Sequence, residues 1–204
     1  MYTAHIANTP NGKKVIIALE ELGVDYQVRH VDLGAREQFA PEFERISPNN
    51  KIPALVDERT GQSLFESCAI LYHLALATGK LVPGDAQGRE VVLQWLFLQA
   101  ASVGPMLGQL WWFRHAAPER NAMALDRYTR ETQRLYGVVE RRLAVSAYIA
   151  GDEYTVADIA FYPWLATYDE LGIDMRDYPH VEAWLRRIAE RPAVTRAQLK
   201  MRQA

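Results

Sequence analysis

A proline stands directly before a predicted strand in residues 47–57, SPNNKIPALVD. Proline has no N–H for a strand ladder, so Pro53 is expected at the first position of the strand, at a sheet edge or at a bulge. The Ile52–Pro53 bond is also of the one type that adopts the cis form at low cost. A cis bond would turn the carbonyl and amide of Ile52 outward, where they could pair with a bound molecule. The alternative is an ordinary turn proline.

A glutamate and a serine precede an apolar helical pattern in residues 65–71, FESCAIL. The unpaired N–H groups and the dipole at the start of a helix favour an anion. Ser67 could therefore hold a carboxylate through its hydroxyl and amide, and Glu66 could accept a neighbouring ammonium group. The alternative is that Ser67 is a plain N-cap and Glu66 a solvated acid.

The composition excludes several classes of protein. The chain has 204 residues, of which 49% are hydrophobic and 24% are charged, with a net charge of −2, as is typical of a globular protein with one large or two small domains. The charge pattern gives no reason to expect nucleic acid or an acidic membrane surface as a partner. No apolar run is expected to span a membrane, and the N-terminus lacks the pattern of a signal peptide. The single cysteine, Cys68, indicates a cytoplasmic chain.

The sequence pattern changes near residue 80. Before it, an alternating strand pattern in residues 2–7, a helical pattern ending at Gly23 and a second strand pattern in residues 26–31 predict a βαβ unit. A short helix, two strands joined as a hairpin and a further helix to Gly79 follow. From Asp85 onward only helical patterns occur, and Gly104-Pro105 is expected to kink the first of them. The predicted domains are residues 1–80 (α/β) and 86–204 (all α-helical).

The order βαβ–α–ββα, with the motifs NKIP and FESCAIL, resembles the thioredoxin-like, glutathione-binding domain of the glutathione S-transferase superfamily. The resemblance covers essentially the whole chain and implies that a C-terminal α-helical bundle follows the thioredoxin-like domain. It is most specific for the nu class, the bacterial glutathione-dependent disulfide-bond oxidoreductases. The segments that carry it include TPNGKK, ISPNNKIPALVD, LFESCAIL, RYTRETQRLY and TVADIAFYPW.

The resemblance implies a role for each candidate binding residue. Ile52 and the cis-Pro53 would offer a backbone ladder to the tripeptide. Ser67 would hold the γ-glutamyl carboxylate, and Glu66 would accept the ammonium group. Further candidates, each also readable as a surface residue, are Gln38 and Lys51 for the glycyl carboxylate and Arg127 for bound glutathione or its disulfide.

The resemblance also predicts which residues hold the sulfur. Members of the superfamily activate the thiol with Tyr, Ser or Cys near the end of the first strand, but residues 1–40 contain neither Ser nor Cys, and Tyr2 begins the strand. The nu-class pattern places Thr9 and Asn11 there. Hydrogen bonds from them and the helix start would favour the thiolate, because such settings commonly lower a thiol pKa from ~8.5 to ~3.5–7.5. TPNG also predicts a helix cap, which is compatible with this role.

The implied activity is glutathione-dependent reduction of small disulfides, with weaker transfer to electrophiles. A chain with one cysteine holds no dithiol, so the electrons must come from glutathione, of which two molecules could bind side by side. The resemblance also implies a homodimer. The histidines show no metal-ligand spacing, and no metal is expected. The alternatives are a conjugating transferase or dehalogenase, and a non-enzymatic glutathione-binding regulator.

Three further features have structural interpretations. Trp111 and Trp112 could fill a core, lie on a dimer surface or line an electrophile pocket, and the first two are favoured because adjacent helical residues face different directions. Thr155 and Asp158 form a capping-box pattern before an apolar run. Cys68 lies in an apolar helical turn and is expected to be a small buried hydrophobic residue.

Overall fold

The computed structural model describes residues 1–203, which pack as two compact units. The first unit contains residues 1–82 and the segment that begins at Glu190, and the second contains Pro83–Ala189. These packing units differ from the predicted ranges 1–80 and 86–204 because the last segment of the chain packs with the first unit.

The first unit has the predicted order of strands and helices. Its elements up to residue 78 are β1 Tyr2–Ile6, α1 Pro10–Leu22, β2 Tyr26–His30, a 3-10 turn Glu37–Phe39, α2 Pro41–Glu44, β3 Ala54–Asp57, β4 Gln62–Phe65 and α3 Ser67–Thr78. The sheet order is β2-β1-β3-β4. Strand β1 pairs with β2 in parallel and with β3 antiparallel, and β3 pairs with β4 antiparallel. The predicted thioredoxin-like fold is confirmed.

Helix α1 is defined by its caps and by its apolar face. Thr9 is the N-cap, and its Oγ1 accepts a hydrogen bond from the Gly12 N–H at 3.2 Å. Pro10 occupies the first turn, where a missing N–H costs little. Gly23 ends the helix in the left-handed conformation, with φ of 64°. Gly12 allows the helix to approach the end of β1, since a Cβ there would lie 2.2 Å from the carbonyl oxygen of Ala7.

All the regular elements described in the second unit are helices. Its elements are α4 Ala86–Leu98, a π-helical segment Gln99–Val103, α5 Gly104–His115, α6 Ala122–Leu143, α7 Val156–Leu165, α8 Tyr168–Leu171, a 3-10 turn Met175–Asp177 and α9 Pro179–Ala189. The π-helical segment lies directly before Gly104-Pro105, where the sequence predicts a break in the regular helix. Prolines and π-bulges are common causes of such irregularity.

A further helix follows α9, in a segment for which the sequence analysis predicted no separate element. Helix α10, Pro192–Gln203, packs on α1 in the first unit. Arg191 Nε and Nη2 donate to the two carboxylate oxygens of Glu21 at 2.5 and 2.9 Å, and Lys200 Nζ lies 2.8 Å from Glu20 Oε1. Burial opposes the charge of Glu20, but hydrogen bonds from Lys200, Tyr26 and Arg196 lower its pKa to about 2.

Helix α7 begins with the predicted capping box. The hydroxyl of Thr155 accepts from the Ala157 N–H, and Asp158 Oδ2 accepts from the Thr155 N–H at 3.0 Å. Asp158 Oδ1 also accepts from the Ile149 N–H and from Trp184 Nε1, at 3.0 and 2.9 Å. The side chain is completely buried, and burial raises the pKa of Asp158 to about 6 despite these hydrogen bonds. This helix start is therefore satisfied within its own unit.

The helical stretch Ala86–His115 is long and apolar enough to cross a membrane by length and composition. This finding corrects the expectation that no segment would reach that limit. It is weak evidence for a membrane span, because the core helix of a globular protein passes the same test.

Candidate functional site

The sheet register brings four chain segments together at one end of the strands, which forms the edge of the sheet that carries the candidate site. His5, near the end of β1, pairs with Ala54 at the start of β3, and Ala54 pairs with Phe65 at the end of β4. Strand β2 runs parallel to β1 and ends beside it, since Ile6 pairs with His30. The segments after β1, β2 and β4 and the segment before β3 therefore leave the sheet at the same edge. The candidate residues in them are Thr9, Asn11, Gln38, Lys51, Ile52, Pro53, Glu66 and Ser67.

The peptide bond that opens this edge has the expected geometry. Ile52–Pro53 is cis, and β3 begins only at Ala54, so Ile52 precedes the paired strand. The half-buried side chain of Ile52 packs against a cluster formed by Val31, Phe43 and Ala54. This packing fixes the position of the Ile52 backbone at the sheet edge.

Gln38 lies in the 3-10 turn Glu37–Phe39 and Lys51 in the loop before β3, and a hydrogen bond from Asn50 joins these two loop segments. Asn50 Nδ2 donates to the Gln38 carbonyl at 3.0 Å, and Ser47 Oγ donates to the Lys51 carbonyl at 2.8 Å. The Lys51 side chain is exposed. Gln38 Oε1 is buried and has no hydrogen-bond partner among the described residues. The loops therefore hold an amide and an ammonium group in one region of the edge.

The start of α3 is unusual for a helix N-terminus. Glu66 occupies the N-cap position with φ of 68° and ψ of 112°, and among the described residues it makes no side-chain capping hydrogen bond. Such backbone conformations cost on the order of 1–3 kcal/mol and cluster at ligand-binding sites. Ser67 is buried and is the first helical residue, so it is not the N-cap of the alternative interpretation. The uncapped start leaves an anion-binding position beside Ser67.

The site contains a buried lysine that the sequence reading missed. Lys14 on α1 is 1% exposed, and its Nζ donates to Ser67 Oγ at 3.2 Å. Burial lowers the pKa of Lys14 to about 8, and the neighbouring Cys68 and Glu66 act in the opposite direction. Lys14 precedes Ala18 by four residues and Leu22 by eight, which places it on the apolar face of α1. That spacing was the available signal.

At the other end of the site, Thr9 can both cap a helix and donate a hydrogen bond. Its Oγ1 accepts from the Gly12 N–H, so the hydroxyl hydrogen can point to a different acceptor. Asn11 is half-buried in the first turn of the same helix. Tyr2 lies at the opposite end of β1, where it pairs with Asp57. The position of Tyr2 agrees with the expectation that it does not reach the end of the first strand.

Cys68 follows Ser67 but has the properties of a structural cysteine. It is half-buried, and burial raises the pKa of its thiol, an effect opposed by Lys14 and by a hydrogen bond with Ser67. The thiol form is therefore favoured at neutral pH. Reactivity requires the thiolate, so Cys68 is poorly suited to act as a nucleophile.

Two sets of residues singled out from the sequence lie in the second unit. Arg127 is exposed on α6 and lines a cleft of about 440 Å³ with Met106, Tyr128, Arg130, Glu131 and Arg134. Trp111 and Trp112 on α5 are 39% and 42% exposed. The interpretation that they fill a core is therefore wrong, whereas the other favoured interpretation, a dimer surface, stays a prediction. Trp111 Nε1 donates to Glu170 Oε2 at 2.6 Å.

No group of three or more His, Cys, Asp or Glu side chains within residues 1–203 could hold a metal ion. The polar groups at the sheet edge are instead suited to an extended, charged peptide. They comprise a backbone segment before β3, a carboxylate beside a helix start, and donors at the start of α1.

Two family models match this chain. The glutathione S-transferase N-terminal domain matches residues 3–76, and the C-terminal domain matches residues 93–192. The chain belongs to the glutathione S-transferase family. It is 48% identical to the disulfide-bond oxidoreductase YfcG of Escherichia coli, over 98% of this chain and 95% of that protein. The resemblance recognised in the sequence is thus confirmed, and the chain is a glutathione transferase-like enzyme.

Solved structures with the same fold contain glutathione in two chemical forms. A glutathione transferase from Burkholderia graminis, with two glutathione molecules bound per subunit, has a TM-score of 0.90 and 40% identity; the match covers 96% of this chain and 86% of that one. A glutathione transferase from Pseudomonas putida, with one glutathione disulfide bound per subunit, has a TM-score of 0.89 and 38% identity, with coverages of 96% and 90%.

Proposed function

We propose that this protein binds glutathione at the edge of its N-terminal sheet and uses the glutathione thiolate to reduce small disulfides. The observation that carries the proposal is the convergence of the cis Ile52–Pro53 bond, the uncapped start of α3 and the start of α1 at one edge. The 48% identity to a disulfide-bond oxidoreductase supports the reaction type.

Each residue at the edge has one task in this proposal. The Ile52 backbone pairs with the cysteinyl part of glutathione, and Ser67 and Glu66 bind the carboxylate and the ammonium group of the γ-glutamyl residue. Gln38 and Lys51 bind the glycyl carboxylate. Thr9 and Asn11 donate to the sulfur and lower its pKa, because a hydrogen bond to the charged form favours that form. Arg127, in the second unit, stays a prediction from the family resemblance as a residue for bound glutathione or its disulfide.

The reaction takes its electrons from two glutathione molecules. The first thiolate attacks one sulfur of the substrate disulfide, forms a mixed disulfide and releases a substrate thiolate. A second glutathione thiolate attacks the glutathione sulfur of the mixed disulfide and releases the other substrate thiolate, leaving glutathione disulfide. The disulfide is reduced to two thiols and two glutathione molecules are oxidised, so Cys68 takes no part. We propose accordingly that two glutathione molecules bind per subunit.

The cellular location, the oligomeric state and the partners of the enzyme are also proposals. We infer a cytoplasmic homodimer that needs no metal, nucleic acid or membrane. The homodimer is carried over from the family resemblance. Sedimentation of the purified protein measures the oligomeric state.

The experiment compares Thr9→Ala with Tyr2→Phe, which removes a hydroxyl from the other end of β1. A hydrogen bond to a charged acceptor is worth about 1.5–3 kcal/mol, so Thr9→Ala is expected to lower turnover about tenfold to a hundredfold. It should also raise the apparent pKa of the bound thiol in a pH–rate profile. Tyr2→Phe is expected to behave as wild type. The reverse result would place the sulfur elsewhere.

A parallel assay of conjugation to an electrophile separates the proposed reaction from that of a conjugating transferase or dehalogenase. The proposal requires disulfide reduction to be the faster reaction. Glutathione binding without either reaction would identify a non-enzymatic binder.

A further inference from the structure

The buried ammonium of Lys14 links the two helices that form the candidate site. Lysine is among the residues least often fully buried, because an ammonium removed from water loses a large hydration energy. Lys14 is nevertheless 1% exposed and reaches from the second turn of α1 to the first residue of α3. With its pKa lowered to about 8 by burial, it still carries a charge at neutral pH for most of the time.

The hydrogen bond between Lys14 and Ser67 has a defined direction. An ammonium group only donates, so Ser67 Oγ must accept from Lys14 Nζ. The Ser67 hydroxyl hydrogen is consequently directed away from Lys14 and toward another acceptor. Within the protein that acceptor can be the Cys68 sulfur: burial raises the pKa of this thiol, and a hydrogen bond with Ser67 acts in the opposite direction. A thiol sulfur is a weak acceptor, and a carboxylate would replace it readily.

The contact with a cation also strengthens Ser67 as a donor. Hydrogen bonds in a chain polarise one another, most of all at a site shielded from water. The start of α3 adds unpaired N–H groups and the positive end of the helix dipole at the same place. The ammonium, the hydroxyl and the helix start therefore all favour one negative charge beside Ser67.

From this arrangement we propose that Lys14 is a positioning residue, which acts through Ser67 to select ligands that carry an α-carboxylate on the γ-glutamyl group. The inference rests on the proposed function, because it assigns that carboxylate to Ser67. A purely structural Lys14, which tethers α1 to α3 and has no influence on the ligand, is the competing interpretation. The two interpretations differ in whether removal of the Lys14 ammonium weakens binding only of ligands that carry this carboxylate.

The test measures the affinity of two ligands by calorimetry. The first is S-methylglutathione, whose blocked sulfur removes thiol ionisation from the comparison. The second is its analogue with 4-aminobutyrate in place of the γ-glutamyl group, which keeps the ammonium for Glu66 and lacks only the carboxylate. In Lys14→Met, binding of S-methylglutathione is expected to weaken about tenfold or more, about 1.4 kcal/mol or more. Binding of the analogue is expected to change by less than about twofold. Equal losses for both ligands, or no loss for either, would overturn the proposal.

Controls separate the charge from the fold. Lys13→Met removes the neighbouring, half-buried lysine of the same helix and is expected to leave both affinities unchanged. If Lys14→Met does not fold, Lys14→Gln, which keeps a donor without the charge, is measured in its place with the same criterion. In a Ser67→Ala background, the Lys14 substitution is expected to add less than about twofold, because contacting residues that act in series are not additive. A full additional loss in that background would show that Lys14 does not act through Ser67.

The outcomes for the two proposals are distinguishable. Wild-type protein that binds neither ligand would reject the proposed glutathione site itself. Wild-type protein that prefers S-methylglutathione, with the same preference retained in the folded Lys14 variant, would reject only the role of Lys14.

Discussion

Two helix starts, one in each unit, differ in how their polar groups are satisfied. Helix α7 begins with a complete capping box, in which Thr155 and Asp158 bond to each other's backbone. Helix α3 begins at Ser67 after a strained Glu66 that makes no side-chain capping bond among the described residues. A helix start that is satisfied internally stabilises the fold. One that is left uncapped at a sheet edge is available to a ligand.

The buried charge beside each helix start shows the same contrast. Asp158 accepts three hydrogen bonds from backbone N–H groups and Trp184. Those donors belong to the protein, so the network is closed. Lys14 donates to a neutral hydroxyl that has a hydrogen of its own to offer. The hydrogen bonds of Asp158 end on groups of its own unit. The hydrogen bond of Lys14 leads to the Ser67 hydroxyl, which can donate in turn to a ligand in the site.

The largest expected effect of a substitution is on the closed network of α7. Asp158→Ala leaves the N–H groups of Ile149 and Thr155 and the indole N–H of Trp184 without their acceptor. Each buried donor left unsatisfied costs about 1–3 kcal/mol, so the free energy of unfolding is expected to fall by about 3 kcal/mol or more. Denaturant unfolding of the purified variant measures the loss.

Asp152→Ala is the matched control, because Asp152 is an exposed aspartate six residues earlier. It is expected to change the free energy of unfolding by less than about 0.5 kcal/mol. Similar values for the two variants would contradict the importance assigned to the α7 network.

The next largest effects are expected from removing the hydroxyl group of Ser67 or of Thr155 and measuring both glutathione affinity and stability. Ser67→Ala is expected to weaken glutathione binding by about 1–3 kcal/mol, since it removes a charge-assisted donor. Thr155→Ala is expected to lower the free energy of unfolding by about 0.5–2 kcal/mol through loss of an N-cap, with glutathione affinity unchanged. Calorimetry and denaturant unfolding on both variants complete the test. Unchanged glutathione affinity in Ser67→Ala would break the contrast between the two helix starts.

Local patterns predicted most of this fold and the residues at its edge. The strand alternation, the caps of α1 and the capping box of α7 are all short-range signals, and each was found where it was predicted. Helix α10 was missed although its buried residues Ala193, Ala197 and Met201 recur at helical spacing. Its ion pairs with Glu20 and Glu21 join residues far apart in the sequence. Lys14 was missed because its residue type indicates a surface, whereas its position on the apolar face of α1 indicates burial. Partners distant in sequence become visible only when the chain is folded.

A smaller effect, and one of opposite sign for stability and binding, is expected at Glu66. Glycine tolerates a φ of 68° without the steric cost that a Cβ imposes. Glu66→Gly is therefore expected to raise the free energy of unfolding by about 1 kcal/mol, the strain relieved less the entropy that glycine gains in the unfolded chain. It should weaken glutathione binding, because the carboxylate that accepts the ammonium is lost.

Glu66→Gln separates these two consequences, since it removes the charge and keeps the Cβ. It is expected to weaken glutathione binding as Glu66→Gly does, without the gain in stability. A Glu66→Gly protein that is less stable than wild type would show that the backbone at α3 is not strained.

The smallest effect is expected at Cys68, the residue after Ser67. The experiment shows whether the reacting sulfur belongs to glutathione or to the protein. Because burial raises the pKa of the Cys68 thiol, the residue is mostly protonated at neutral pH and is a poor nucleophile. Cys68→Ala should therefore keep most of the disulfide reductase turnover, within about twofold of wild type, since glutathione supplies both electrons. Cys68→Ser, which places a polar hydroxyl in the same half-buried position, tests whether any loss comes from packing. If turnover were abolished in a Cys68→Ala protein that folds and binds glutathione normally, the start of α3 would present a protein thiol to the substrate, and its contrast with α7 would have a different cause.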